Sequence, residues 1–227
     1  MSEWWTYRPS SFLLFSPRTY YRLFELYNGE IWPAQIVALL AGLMMLVLLR
    51  NPGVWRGKTI FVLLAASWLW VAWAYLYSRY AAINWLATYF AAAFALEALL
   101  LIGLGVVGRG LAWQASERWV AWAGMGLMIF AVALQPLIAP LMRRPWSQVE
   151  IFAIAPDPTV VGTLGVLIHI SGWKKWLLLP IPLMWCMVSG ATTWVMRSGD
   201  AALMPVAAAV AITVVIGSAA FKPGLRM

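Results

Sequence analysis

The chain has 227 residues, 63% of them hydrophobic and 11% charged, with a net charge of +8. Soluble domains carry roughly 25% charged residues, so this balance argues against a soluble fold and equally against disorder. The basic residues are scattered through short gaps rather than gathered in a stripe, which argues against nucleic acid as a partner; lipid phosphates and topology signals account for them.

One cysteine, Cys186, allows no disulfide within the chain and no cysteine-based metal cluster. The start, MSEWWTYRPSSF, lacks a basic segment followed by a short apolar one, so no cleaved signal peptide is expected and the first span is expected to direct insertion. Almost all charged residues fall between seven apolar runs, 31–49, 59–78, 81–108, 119–142, 159–173, 176–196 and 201–221. A bilayer core of ~30 Å takes about 20 apolar residues per helix. The expected fold is therefore all-α: a polytopic transmembrane bundle of seven hydrophobic helices, the fifth short, with a short N-terminal interfacial helix. Residues 1–30 are expected to form the interfacial segment, 31–221 the bundle and 222–227 a tail.

Ser16-Pro17 reads as an N-cap followed by proline at the first helical position. Tyr20, Leu23, Phe24 and Tyr27 then recur at helical spacing among charged residues, which predicts a helix lying on the membrane over 17–27, broken by Asn28-Gly29. In the second run Trp70, Trp73, Tyr77 and Tyr80 fall on one predicted helix face, with Trp68 and Tyr75 opposite. That face is a candidate docking surface for a partner helix, lipid or pigment. Small residues in the third run (Ala91, Ala92, Ala93, Ala95, Gly103, Gly105, Gly108) and in the last (Ala207, Ala211) predict that both lie inside the bundle. Pro136 and Pro140 are expected to kink the fourth run, and Pro180 and Pro182 the sixth. Eight tryptophans, Trp32, Trp55, Trp113, Trp119, Trp146, Trp173, Trp176 and Trp194, sit near run ends as an aromatic belt would.

The fifth run is ambiguous. Asp157-Pro158 resembles an N-cap followed by proline, and about 14 helical residues reach only ~21 Å. The run either crosses with help from its ends or is re-entrant. If it crosses, seven basic residues lie on the N-terminal side and nine on the other; if not, the split is ten against six, with both termini cytoplasmic. Charge favours six crossings, whereas run length and the tight Lys174-Lys175 turn favour seven.

Glu97 is the one charged residue deep inside a run. A carboxylate at mid-bilayer costs roughly 2.5–3.5 kcal/mol, and such groups mark ion paths or fix helix packing. His169, the only histidine, is a weak candidate for contact with haem or chlorin; otherwise it bonds a backbone carbonyl near the interface. Asp157 and His169 form the single pair that a lipid-modifying enzyme could use. Met184, Cys186 and Met187 resemble soft copper ligands, but helical spacing turns Cys186 away from the methionines, and apolar packing is the favoured reading. Hydrolase, zinc-protease and nucleotide-binding motifs are absent; Gly103, Gly105 and Gly108 match the dinucleotide spacing only inside an apolar helix. No catalytic residue, metal site or cofactor beyond lipid is predicted.

The segment Tyr27-Asn28-Gly29-Glu30-Ile31-Trp32-Pro33-Ala34-Gln35 resembles an uncharacterised family of bacterial polytopic membrane proteins (domain of unknown function six-zero-six-four). Ala155-Pro156-Asp157-Pro158-Thr159 with Gly162 to Leu167, and Ile181-Pro182-Leu183-Met184-Trp185 before Gly190, extend the resemblance over most of the chain. The family pattern favours Pro-Cys-Pro where this chain has Pro-Asp-Pro, which argues against an obligatory thiol at position 157. The resemblance implies a multi-pass protein of the bacterial cytoplasmic membrane and no established activity. Within its first motif, Asn28 is placed to cap the first span, Trp32 to anchor it and Gln35 to bond across helices. The leading functional expectation is a non-catalytic subunit or assembly factor of a larger complex, with other integral membrane proteins as partners. The alternative is a small proton- or ion-coupled transporter or channel using Glu97.

Overall fold

A computed structural model of the chain describes residues 15–51, 53–108, 112–113 and 118–220. Residues 1–14 of the expected N-terminal segment and the 222–227 tail lie outside the described residues. Helix α1 spans Pro17–Glu30, capped by the Ser16 hydroxyl, which accepts from the Thr19 amide at 3.1 Å. It runs through Asn28-Gly29 rather than breaking there. The break falls at Ile31–Pro33, where proline cannot donate to the preceding turn, and α2 (Ala34–Arg50) leaves at 94°.

Helix α3 (Val54–Trp70) continues as a π-helical stretch, Val71–Tyr77. Helix α4 (Ala87–Leu100) likewise ends in a π stretch, Leu101–Val107. Helix α5 (Arg118–Ile129) passes through a π stretch and a 3₁₀ turn at Gln135–Leu137 into the short α6 (Ile138–Leu141), so the helix changes type at Pro136. Helix α7 spans Pro156–Ile168, α8 Lys175–Leu178, α9 Pro180–Val195 and α10 Leu203–Ala220. Pro180 opens α9 instead of kinking it, because proline fits the first helical turn, where no amide partner is needed.

Among the described residues, four helices are long and apolar enough to cross a membrane: Val54–Ala82, Ala87–Val107, Arg118–Leu141 and Lys175–Val195; the bent α1–α2 pair makes a fifth if it counts as one span. α7 and α10 are shorter apolar helices. Of the eight expected belt tryptophans all but Trp113 are exposed; Trp113 is partly buried and packs beside Phe61.

Contacts between loops define two ends of the bundle. At one, Asn28 Nδ2 donates to the Ser147 and Val149 carbonyls, Tyr21 shares a hydrogen bond with Ser198, and Arg144 pairs with Asp200. At the other, β1 (Ala112–Trp113) pairs antiparallel with β2 (Ile170–Ser171). α7 leads from the first end to the second, and every residue from 151 to 170 is buried. The third and last runs, expected to be interior, instead flank this post. α4 exposes Leu96 and Leu99, although Ala207 and Ala211 of α10 do face inward.

Glycine makes the central position of α7 possible. A Cβ on Gly165 would lie 2.7 Å from the Gly124 carbonyl of α5, so the two helix backbones touch where neither carries a side chain. Threonines bond the polar backbone of the buried entry to α7. The Thr159 hydroxyl accepts from the Ala153 amide at 3.0 Å and donates to the Ala155 carbonyl at 2.7 Å; Thr163 donates to the Thr159 carbonyl. Asp157 is not the N-cap: Ala155 occupies that position, Pro156 opens the helix, and the Asp157 side chain points into the bundle instead.

Candidate functional site

Two polar features stand out within this apolar body. The first is a cleft at the first end, lined by Gln135, Arg144, Gln148, Glu150, Asp157, Thr193 and Asp200 among others, with a volume of about 390 Å³ counted to its open mouth. Its inner part has room for little more than water. The polar groups come from separate stretches of chain: Gln135 from the 3₁₀ turn before α6, Arg144 and Glu150 from the α6–α7 connection, Asp157 from α7, and Asp200 from the α9–α10 turn.

The turns that present these groups are shaped by residues with left-handed backbones, Arg143 (φ 59°), Ala153 (φ 66°) and Arg197 (φ 55°). Arg143 and Arg197 end α6 and α9. The amides that follow them return to earlier carbonyls, Arg144 to Ala139 at 2.8 Å and Ser198 to Thr193 at 2.9 Å, the double-bonded C-terminal motif usually served by glycine. Non-glycine residues in this region carry a cost of about 1–3 kcal/mol, which surrounding contacts must offset.

Arg144 Nη2 donates to Asp200 Oδ2 at 2.7 Å, with side chains only 12% and 11% exposed. The Arg144 guanidinium lies 4.0 Å over the Tyr21 ring, and that π face takes up part of its charge. Asp157 accepts from Trp185 Nε1 at 2.7 Å and from the Ser189 hydroxyl at 2.6 Å, both on α9. Burial pushes the Glu150 carboxyl well above its ordinary value, the nearby Asp157 adds to this, and Arg144 opposes it. Among the described residues, Gln135 Oε1, Asp200 Oδ1 and Arg144 Nε and Nη1 are buried without hydrogen-bond partners.

The second feature is Glu97. It is 0% exposed, and neither carboxyl oxygen has a hydrogen-bond partner among the described residues. Ten residues of the span Ala87–Val107 precede it and ten follow. One turn before it, Phe94 packs on Trp68 and, edge to face, on Trp185, with ring centroids 4.3 and 5.0 Å apart. Trp185 therefore touches Asp157 through its indole nitrogen and the Glu97-bearing helix through its ring.

The other sequence candidates do not converge on this site. Asn28 does not cap α2, whose N-terminus at Pro33 has no side-chain cap; it ties α1 to the 147–149 segment. Gln35 does bond across the α1–α2 bend, donating to the Asn28 carbonyl at 2.7 Å. Trp32 is 67% exposed at the bend. His169 is buried with its Nδ1 3.0 Å from the Gly165 carbonyl, and its ring packs against Gly124. Asp157 and His169 sit twelve residues apart on α7, about 18 Å along the helix, so the pair nominated for lipid chemistry is split between the two ends. Trp73 and Tyr77 are exposed, but Tyr80 is only 4% exposed and leaves the predicted face. The wider π turns at Val71–Tyr77 change the angular step per residue, and Tyr80 packs instead on Tyr75 and Tyr20. Cys186 is buried while Met184 and Met187 face outward, as the spacing requires of packing rather than ligation.

Fold and site together define a helical protein with several spans of membrane-crossing length, one buried acid at the centre of such a span and a polar cleft at one end. The chain belongs to a family of unknown function, DUF6064, whose model matches residues 18–226. Neither a curated protein nor a solved structure gives a match.

Proposed function

We propose that this is a seven-pass membrane protein that moves protons or small cations, with Glu97 as the group that carries them across the midplane. The observation that carries the reading is the pairing state of Glu97: mid-span, fully buried and with both oxygens unbonded. A carboxyl that served only to fix packing would give its oxygens to neighbouring donors, since a buried polar group left unpaired costs about 1–3 kcal/mol. An acid kept free in an apolar span is available to a proton or ion instead. Asp157, Trp185 and Phe94 form a chain of contacts from the end cleft toward Glu97, with the aromatic rings as the barrier between the two acids.

Seven passes are supported by α7 running between the two ends and by its complete burial, which frees a 13-residue helix from spanning lipid on its own. A role as a subunit of a larger complex draws on the outward apolar faces, which lipid covers equally well, whereas the buried acid favours transport. The test is flux. Protein reconstituted in liposomes carrying an internal pH dye should pass protons when a potential or a monovalent-cation gradient is imposed, and Glu97→Gln should abolish that flux. Wild-type vesicles as tight as empty ones, or a variant as active as wild type, would sink the reading.

A further inference from the structure

We propose that the cleft at the first end is a binding site for a primary ammonium group, held by Asp200, Gln135 and Glu150. The proposal goes beyond transport and stands on the cleft alone.

Charge is the first argument. The protein as a whole is basic, at +8. The cleft reverses that sign, with three carboxyl groups, Glu150, Asp157 and Asp200, facing one guanidinium, Arg144. The second argument is unmet hydrogen bonding. Gln135 is only 5% exposed and lines the cleft with Oε1 unpartnered, and Asp200 Oδ1 beside it is unpartnered too. Both are acceptors. Arg144 engages only Oδ2 of Asp200, and each Asp157 oxygen already accepts a hydrogen bond, from Trp185 and from Ser189. A donor with positive charge satisfies these two acceptors; Arg144 Nε and Nη1, unpartnered as well, belong to the guanidinium already paired with Asp200 and lying over the Tyr21 ring.

Size is the third argument. The inner cleft admits a group about the size of water, which fits an ammonium head and excludes a quaternary amine, whose methyls also leave it no N–H to give. Its three hydrogens match Asp200 Oδ1, Gln135 Oε1 and the Glu150 carboxyl, and any organic tail lies in the open mouth. Among the described residues no three His, Cys, Asp or Glu side chains are grouped to hold a metal ion.

Binding exchanges a cation for a proton. Burial and the facing Asp157 and Asp200 push the Glu150 carboxyl up against the pull of Arg144, with Tyr20, Tyr21 and Tyr75 the other titratable groups near it, so an ammonium arriving beside it displaces its proton to solvent. One positive charge leaves as one enters, and affinity rises with pH until Glu150 is ionised in the free protein.

The experiment is calorimetric titration of the detergent-purified full chain with ethylammonium chloride, and with tetramethylammonium chloride at equal ionic strength. Ethylammonium should bind saturably and release protons, measured by comparing buffers of different ionisation heat; tetramethylammonium should not bind. Asp200→Asn and Gln135→Leu should each weaken binding about tenfold or more. Melting curves establish that each variant is folded. Should Asp200→Asn lose its fold with the Arg144 pair, Gln135→Leu alone carries the test. Glu97→Gln should bind as wild type does, so a failure of the transport reading leaves this result standing. The same head group occurs on free amines and on aminophospholipids, and nanodiscs separate the sources: added phosphatidylethanolamine suppresses ethylammonium binding if lipid is the occupant and leaves it unchanged if a soluble amine is. Equal binding of tetramethylammonium, no saturable heat, or folded variants that bind like wild type would overturn the assignment.

Discussion

The buried acids of this protein divide by how they are bonded. Asp157 accepts two short hydrogen bonds, Asp200 one ion pair, and Glu97 nothing. Glu150 is the acid whose titration bears most directly on folding, because burial pushes its carboxyl well above the ordinary value of 4.5. Between those two values the folded protein holds a proton that the unfolded chain has released. Glu150 therefore contributes stability that is full below the ordinary carboxylate value and is lost as pH rises through the folded value. The melting temperature of the detergent-solubilised protein should fall as pH rises above the ordinary carboxylate range, and Glu150→Gln, neutral at every pH, should flatten that slope and melt about 2–4 °C higher at the alkaline end. A variant whose profile parallels wild type would place the titrating group elsewhere. The sequence exposed Glu97 because a lone charge in an apolar run is visible without any folding. It hid the cleft because Gln135, Arg144, Glu150 and Asp200 lie in separate gaps and turns, and each by itself resembles an ordinary loop residue.

At the scale of elements, the largest departure from expectation is α7. Its length alone made it the least certain of the seven runs, yet it is the most buried. Length measures the reach of an isolated helix through lipid, and α7 has none of its surface free for lipid. The Gly124–Gly165 contact sets its seat. Gly165→Ala adds a methyl 2.7 Å from the Gly124 carbonyl and 3.0 Å from the Met128 amide, both backbone atoms that cannot rotate away. It should destabilise the protein by about 1–3 kcal/mol, read from thermal melts in detergent. Gly126→Ala, on the same α5 but with nothing within 4 Å of its new carbon, should be neutral or stabilising by up to about 1 kcal/mol. Equal effects at the two positions would mean that helix propensity, not backbone approach, governs the pair. The misplacement of Tyr80 has a related origin. Face assignment assumes 3.6 residues per turn, and the π turns at Val71–Tyr77 break that period while leaving composition unchanged.

For the whole molecule, the open question in the sequence was whether the fifth run crosses, and charge counting pointed to six crossings. The positive-inside rule weighs loops as if each were free to choose a side. Here the segment from 151 to 170 is wrapped on all sides by the other helices, so packing rather than loop charge fixes its direction. The two arrangements place the 173–175 loop and the α9–α10 turn on different sides. With seven passes, Trp173 shares a side with Trp55; with a re-entrant fifth run, it shares a side with Ser147. Trp55, Trp173 and Ser147 are all exposed, and the single native thiol, Cys186, is buried and replaceable by serine. In that background Trp55→Cys, Ser147→Cys and Trp173→Cys can be labelled in intact cells with a membrane-impermeant maleimide. The Trp173 position should react with the same sidedness as Trp55 and opposite to Ser147. Labelling of Trp173→Cys together with Ser147→Cys would mean six crossings and would overturn the seven-pass reading.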